Sequence, residues 1–159
     1  SDSYTFGHDI EASWLLGEAA EELGDATLRA ETRQVALRMA SVVRAEGLAA
    51  DGGLYYEGKA GQVIDRGREC WPQAEAVVGF LSAFQLGGEV EYLESAHRVW
   101  DYIEQNLVDR VHGEWFWRLN PDGQPDPKLP KVSEWKGPYH ATRACLETLR
   151  RLEQIPSRV

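Results

Sequence analysis

"PQAEAVVGFLSAFQLGG", residues 72–88, runs without a break into "EVEYLESAHRVWDYIEQNL", residues 89–107. Pro72 suits the first turn of a helix, where its missing N–H leaves nothing unsatisfied. Ala74, Val77, Val78 and Leu81 then recur at helical intervals, and Gly87 and Gly88 supply the left-handed stop at which helices commonly end. Leu93, Ala96, Trp100, Ile103 and Leu107 take up the same period at once. Two helices joined by so short a turn pack antiparallel, so the chain reads as helical hairpins.

The same grammar extends on both sides. A first helix is predicted over about 9–23, with Ile10, Trp14, Leu16, Ala19, Ala20 and Leu23 at helical spacing and Gly24 as its stop. A second, over about 27–46, carries Leu28, Val35, Met39 and Val42 on one face and ends at Gly47. A fifth starts at Pro138, uses Thr142, Cys145, Leu146, Leu149 and Leu152, and closes at Pro156. Two long links, 47–71 and 109–136, are rich in Gly, Pro and aromatics. In them "LYYEG" and "GQVID" are expected to pair as a small hairpin, and "EWFWRL" to pair with its neighbours across "NPDG". Helix starts near His8, Trp71 and His140 lie 63 and 69 residues apart, giving two and a half units of a toroid of helical hairpins. In such a toroid the first, third and fifth helices are roughly parallel, and their N-termini converge on one mouth.

Composition narrows the function. The 159 residues suit a single domain, and a hydrophobic fraction of 43% with 27% charged residues is that of a globular protein. No apolar run approaches the ~18 residues of a membrane span. A net charge of −9 with no basic cluster argues against nucleic acid and anionic lipid surfaces. Cys70 and Cys145 stand far apart and outside any zinc spacing, which fits reduced thiols in a cytoplasm and implies no structural metal.

The mouth collects the residues able to do chemistry: His8 and Glu11, Trp71 and Glu75, Trp135 and His140. A spacing of three or four puts each Glu on its partner's helix face. The partial positive charge of a helix N-terminus disfavours a second positive charge beside it, which suits an imidazole acting as a base, and Glu11 is placed to orient a ring nitrogen of His8. Tryptophan faces match the C–H surface of a sugar ring. Each residue also has an ordinary explanation as a cap, a packed aromatic or a solvated carboxylate, and that explanation is kept for His97, His112, Glu18, Glu21 and Glu22.

"FGHDIEASWLLGEAAEELGD" (6–25), "ECWPQAEAVVGF" (69–80) and "SEWKGPYHATRACLE" (133–147) together resemble the N-acylglucosamine 2-epimerase superfamily, most closely its cellobiose 2-epimerase branch. The resemblance implies an all-α fold, with residues 1–159 forming a single partial domain, the C-terminal portion of an (α/α)6 barrel with small β-hairpins in its long loops. It implies C2 epimerisation or isomerisation of a reducing-end aldose, with no metal or organic cofactor, through an enediol. His8 and His140 are the implied acid/base pair and Glu11 the carboxylate partnered with the first. Trp71 and Trp135 are the implied sugar-binding aromatics, with Glu75 and Arg66 in the same pocket. The partner is then a mono- or disaccharide. A fragment of this length is expected to lack activity alone and to self-associate through inner apolar faces left without neighbours. Two rival readings are a glycoside hydrolase on the same toroid, using carboxylates among Asp65, Glu69 and Glu75, and a helical-repeat binding module.

Overall fold

A computed structural model describes residues 3–155, so the expected stop at Pro156 lies outside the described residues. Five helices dominate: α1 (Phe6–Leu23), α2 (Ala26–Val42), α3 (Cys70–Gly87), α4 (Val90–Tyr102) and α5 (Tyr139–Gln154). The short strands are β1 (Ser3–Thr5), β2 (Glu57–Lys59), β3 (Gln62–Asp65), β4 (Arg68–Glu69) and β5 (Arg118–Leu119). The boundaries have local causes. Thr5 caps α1, and Asp25 caps α2 by accepting from the N–H groups of Thr27 and Leu28. Gly24 (φ 71°) and Gly88 (φ 87°) end α1 and α3 in the left-handed conformation that the sequence predicts. The helix predicted to start at Pro72 begins two residues earlier, at Cys70.

Helix α3 is the axis of the molecule. Every residue from Pro72 to Ala83 is buried, because α1, α2, α4 and α5 all pack against it. Gly79 permits the closest approach: a Cβ there would stand 2.5 Å from Ile10 Cγ1. Around this contact Phe6, Ile10, Val43, Phe80, Val99, Ile103 and Leu107 form the core, each contributing about 1.5–3 kcal/mol by leaving water. α1, α3 and α5 form the inner row, with α2 and α4 packed behind them.

The hairpin units repeat in finer detail than the helix pattern. Both α2 and α4 run on into one π-helical turn, Val43–Gly47 and Ile103–Leu107. Each turn is followed by an isolated antiparallel bridge, Leu48 with Leu54 and Val108 with Trp115. The chain then returns to the helix that opened the unit: β2 pairs with β1 and the Phe6 N–H donates to the Tyr56 carbonyl at 3.2 Å, while β5 pairs with β4 and the Cys70 N–H donates to the Trp117 carbonyl at 2.9 Å.

The structure corrects two expectations about helix faces and adds a strand partner to one of the expected hairpins. In α2 the buried positions are Ala36 and Ala40, followed by Val43 in the π turn, whereas Val42 is 42% exposed; small alanines let the outer helix lie close to the inner row. In α5 the leucine face is open, with Leu146, Leu149 and Leu152 exposed, and Ala144 and Arg151 are buried instead. Leu149 and Leu152 line a largely apolar groove with Val77, Leu81 and Trp100. "LYYEG" and "GQVID" do pair, as β2 and β3. The "NPDG" segment makes a tight turn closed by a single Leu119–Pro125 bridge, but the ladder partner of β5 is β4 from the other long link. Among the described residues, no helix is long and apolar enough to cross a membrane.

Candidate active site

Three helix starts meet at one end of the inner row. The Trp71 ring at the start of α3 lies between two histidines, 4.7 Å from the His8 ring on α1 and 5.5 Å from the His140 ring on α5. Gly7 makes room for it, since a Cβ there would stand 2.6 Å from Trp71 Cη2. The indole N–H of Trp71 donates to Glu69 Oε2 at 3.0 Å. Burial raises the Glu69 pKa above the ordinary carboxylate value, against the indole and Arg118, which favour the charged form.

Behind this row lies a carboxylate with no exposure to solvent. Glu75 accepts from the Trp14 indole N–H at 3.1 Å, from Arg143 Nη2 at 2.7 Å and pairs with His140 Nδ1 at 2.7 Å. With two other donors already on it, this carboxylate is an acceptor, so the His140 proton sits on Nδ1 and Nε2 is left as the nitrogen able to take or give a proton. Glu11 completes the group by accepting from Arg143 Nη2. Arg143 also stacks over Trp14 and Tyr139, at 5.0 and 4.7 Å from their ring centroids. Burial works against its charge, yet Glu75 and Glu11 outweigh that and raise its pKa further. Glu11, Glu75 and His140 place their ligating atoms within 4.8 Å of one another, a set able to hold a metal ion. The Arg143 guanidinium bonded to both carboxylates supplies the positive charge such an ion would bring.

The residues singled out in the sequence therefore separate. His8, Trp71, His140 and Glu75 come together. Glu11 joins them but not as the partner of His8: its bond is to Arg143, and His8 Nδ1 lies on the hydroxyl of Thr5, the α1 cap. The guanidinium is the stronger donor for Glu11, and the cap residue already occupies the imidazole. The histidine with a buried carboxylate is His140, not His8. Trp135 is 84% exposed and lines a crevice with Trp71, His140, Trp115 and Trp117. Arg66 is exposed, with its guanidinium 5.8 Å from the Tyr55 ring; its observed partner is that tyrosine rather than the His8–Trp71–His140 row. Asp65 and Glu69, the hydrolase candidates, both bind Arg118.

Sequence reasoning missed Trp14, Arg143, Trp115 and Trp117. Two had a signal: Trp14 follows Glu11 by three residues and Arg143 follows His140 by three, the interval that puts side chains on one helix face. Trp115 and Trp117 come from the far side of a long link, and their place depends on the β4–β5 pairing.

The sequence model of the N-acylglucosamine 2-epimerase (GlcNAc 2-epimerase) family matches residues 2–144. The chain belongs to this family. Among its curated relatives, a cellobiose 2-epimerase of Bacteroides fragilis is 46% identical over 147 residues, covering 91% of this chain and 37% of the relative. The cellobiose 2-epimerase of Dictyoglomus turgidum is 40% identical over 152 residues, covering 95% of this chain and 38% of that one. In three dimensions the chain is similar to the crystal structure of a sugar epimerase from a ruminal bacterium, with a TM-score of 0.89 and 37% identity over 94% of this chain and 38% of that one. The all-α fold is thus that of part of an (α/α)6 epimerase barrel, from its C-terminal side, and the chain spans less than two-fifths of the curated relatives' length.

Proposed function

We propose that the full-length protein is a carbohydrate 2-epimerase acting at C2 of a reducing-end aldose, in the manner of the cellobiose 2-epimerases it resembles. The observation that carries this reading is the row His8–Trp71–His140, two imidazoles packed close to one indole ring. The sugar lies against the aromatic walls of Trp71 and Trp135 with its ring opened. One histidine takes the C2 hydrogen as a proton, and the C2 electron pair moves into a C1–C2 double bond while O1 takes up negative charge or a proton. The other histidine gives a proton back to C2 on the opposite face, restoring the aldehyde and inverting the centre. If the proton returns to C1 instead, with O1 protonated and the O2 hydroxyl giving up its proton as C2=O forms, the product is the ketose.

Positioned proton transfer accounts for roughly 10²–10⁴ in rate, and fixed dipoles at the enediolate oxygens supply much of the remainder. Glu75 holds His140 with Nε2 free to exchange the proton and stabilises the imidazolium when it forms, with Arg143 and Trp14 fixing Glu75 in turn. No organic cofactor or metal enters this scheme. The net charge of −9 favours neutral sugars over phosphates, nucleic acid or anionic membranes, and two free thiols fit a cytoplasmic setting.

The test is deuterium incorporation at C2, followed by NMR in D2O for cellobiose, mannose, glucose and N-acetylglucosamine with the full-length enzyme. Exchange with the glycosidic bond intact is expected. Release of monosaccharide, or no exchange with any aldose, would refute the proposal.

A further inference from the structure

Lys136 stands directly after Trp135 and is buried, with 5% of its surface exposed. Its Nζ donates to Glu114 Oε1, across 22 residues of sequence. Glu114 itself sits at φ 63°, a left-handed conformation uncommon for a residue with a side chain, in the loop between the π turn and Trp115. The backbone around Lys136 is closed into a turn: the Ser133 N–H donates to the Lys136 carbonyl at 2.9 Å, and the N–H groups of Trp135 and Lys136 donate to Ser133 Oγ at 3.2 and 3.1 Å. A second ammonium ties the same two segments, since Lys131 Nζ donates to Asp109 and, at 2.9 Å, to the Gly113 carbonyl.

Trp135 projects from this turn with 84% of its surface exposed, so its own packing does little to hold it. Its placement beside Trp71 and His140 depends on the turn, and the turn is fastened from beneath by a buried ammonium. A lysine is rarely buried without a specific partner, and breaking such a pair leaves one charge uncompensated.

We infer that Lys136, through its ion pair with Glu114, is the positioning residue that sets Trp135 over the mouth of the site. Resting on the epimerase reading above, this makes the pair a determinant of sugar binding, with no part in proton transfer. Lys136 lines the same crevice as Trp135, but its ammonium is bonded to Glu114, and its part is to hold the wall against which the sugar lies.

The experiment uses the full-length protein labelled with 5-fluorotryptophan, with Trp135→Phe assigning its ¹⁹F resonance. Lys136→Met, Glu114→Gln and the double variant are then compared with the parent by ¹⁹F NMR and by the kinetics of C2 exchange. Each single variant should move or broaden the Trp135 resonance while leaving that of Trp14 in place. Each should also raise KM roughly tenfold with kcat held within about twofold. The double variant should be no worse than either single one, because both act through one contact. An intact Trp14 resonance identifies folded protein, and Glu114→Gln tests the pair from its less buried side if Lys136→Met does not fold. An unmoved Trp135 resonance in both folded variants overturns the inference, as does a fall in kcat at constant KM. If the parent exchanges no aldose yet Trp135 moves in the variants, the positioning role stands and the epimerase reading falls.

Discussion

His140 Nδ1 lies 2.7 Å from Oε1 of Glu75, 65 residues earlier in the chain and fully buried. The pair fixes one tautomer of an imidazole at the mouth of the site. Glu75→Gln keeps the shape but puts an amide where a carboxylate was, removing the charge that stabilises imidazolium. C2 exchange should fall by about 10²–10⁴ while KM changes little, read from initial rates of deuterium incorporation. The ¹⁵N shifts of His140 should move in the same variant.

Arg143 separates two carboxylates that would otherwise face each other. Arg143→Met should destabilise the full-length protein by about 3 kcal/mol, since it leaves Glu11 and buried Glu75 without their shared cation. Urea unfolding followed by fluorescence measures this. Recovery in the Arg143→Met, Glu11→Gln double variant is expected, because one of the two repelling charges is then gone.

Gly7 is a steric requirement of the site. Gly7→Ala would bring a Cβ within 3 Å of Trp71 Cη2, Trp71 Cζ3 and Pro72 Cβ. The indole must shift from its place between the histidines, at a cost of about 1–3 kcal/mol in stability. Exchange activity should fall further than the thermal midpoint suggests, and both are measurable on one preparation.

Acid sensitivity follows from two aspartates. Asp109 is held well below the ordinary aspartate pKa, first by the Lys131 ammonium and then by the N–H groups of His112 and Val111; at Asp65, burial opposes the shift but Arg118 and the Gly67 N–H outweigh it. Both bind fewer protons folded than unfolded, so their contribution to stability is complete above the unfolded value of about 3.9 and is lost as pH falls through the folded values. Urea midpoints should therefore drop below about pH 4, and Asp109→Asn together with Asp65→Asn should flatten that limb.

The sequence revealed what short-range chemistry controls. Gly24 and Gly88 ended helices because glycine tolerates positive φ, and the spacing of His8, Trp71 and His140 announced a common mouth because each opens an inner helix. It was silent where a partner comes from a distant segment. Nothing local tells Glu11 to choose Arg143 over His8, or Glu75 to choose His140, because both choices are made by α5 docking on α3. The open leucine face of α5 misled for a related reason: helical periodicity reports that an apolar face exists, not what covers it.

The return of each unit to its own opening helix, through the Phe6–Tyr56 and Cys70–Trp117 backbone bonds, bears on how the protein is made. Each hairpin can close as it emerges during synthesis, with contacts drawn from within its own stretch of chain, so the helical frame belongs to the fast and local part of folding. The two histidines sit on opposite sides of that process. His8 is in place when the first unit closes, whereas His140 arrives only with the fifth helix, after both complete units have formed. Under the proposed two-histidine scheme, catalytic competence is a late property of the nascent chain, and a ribosome stalled before residue 140 carries ordered structure with half of that proposed acid/base pair absent.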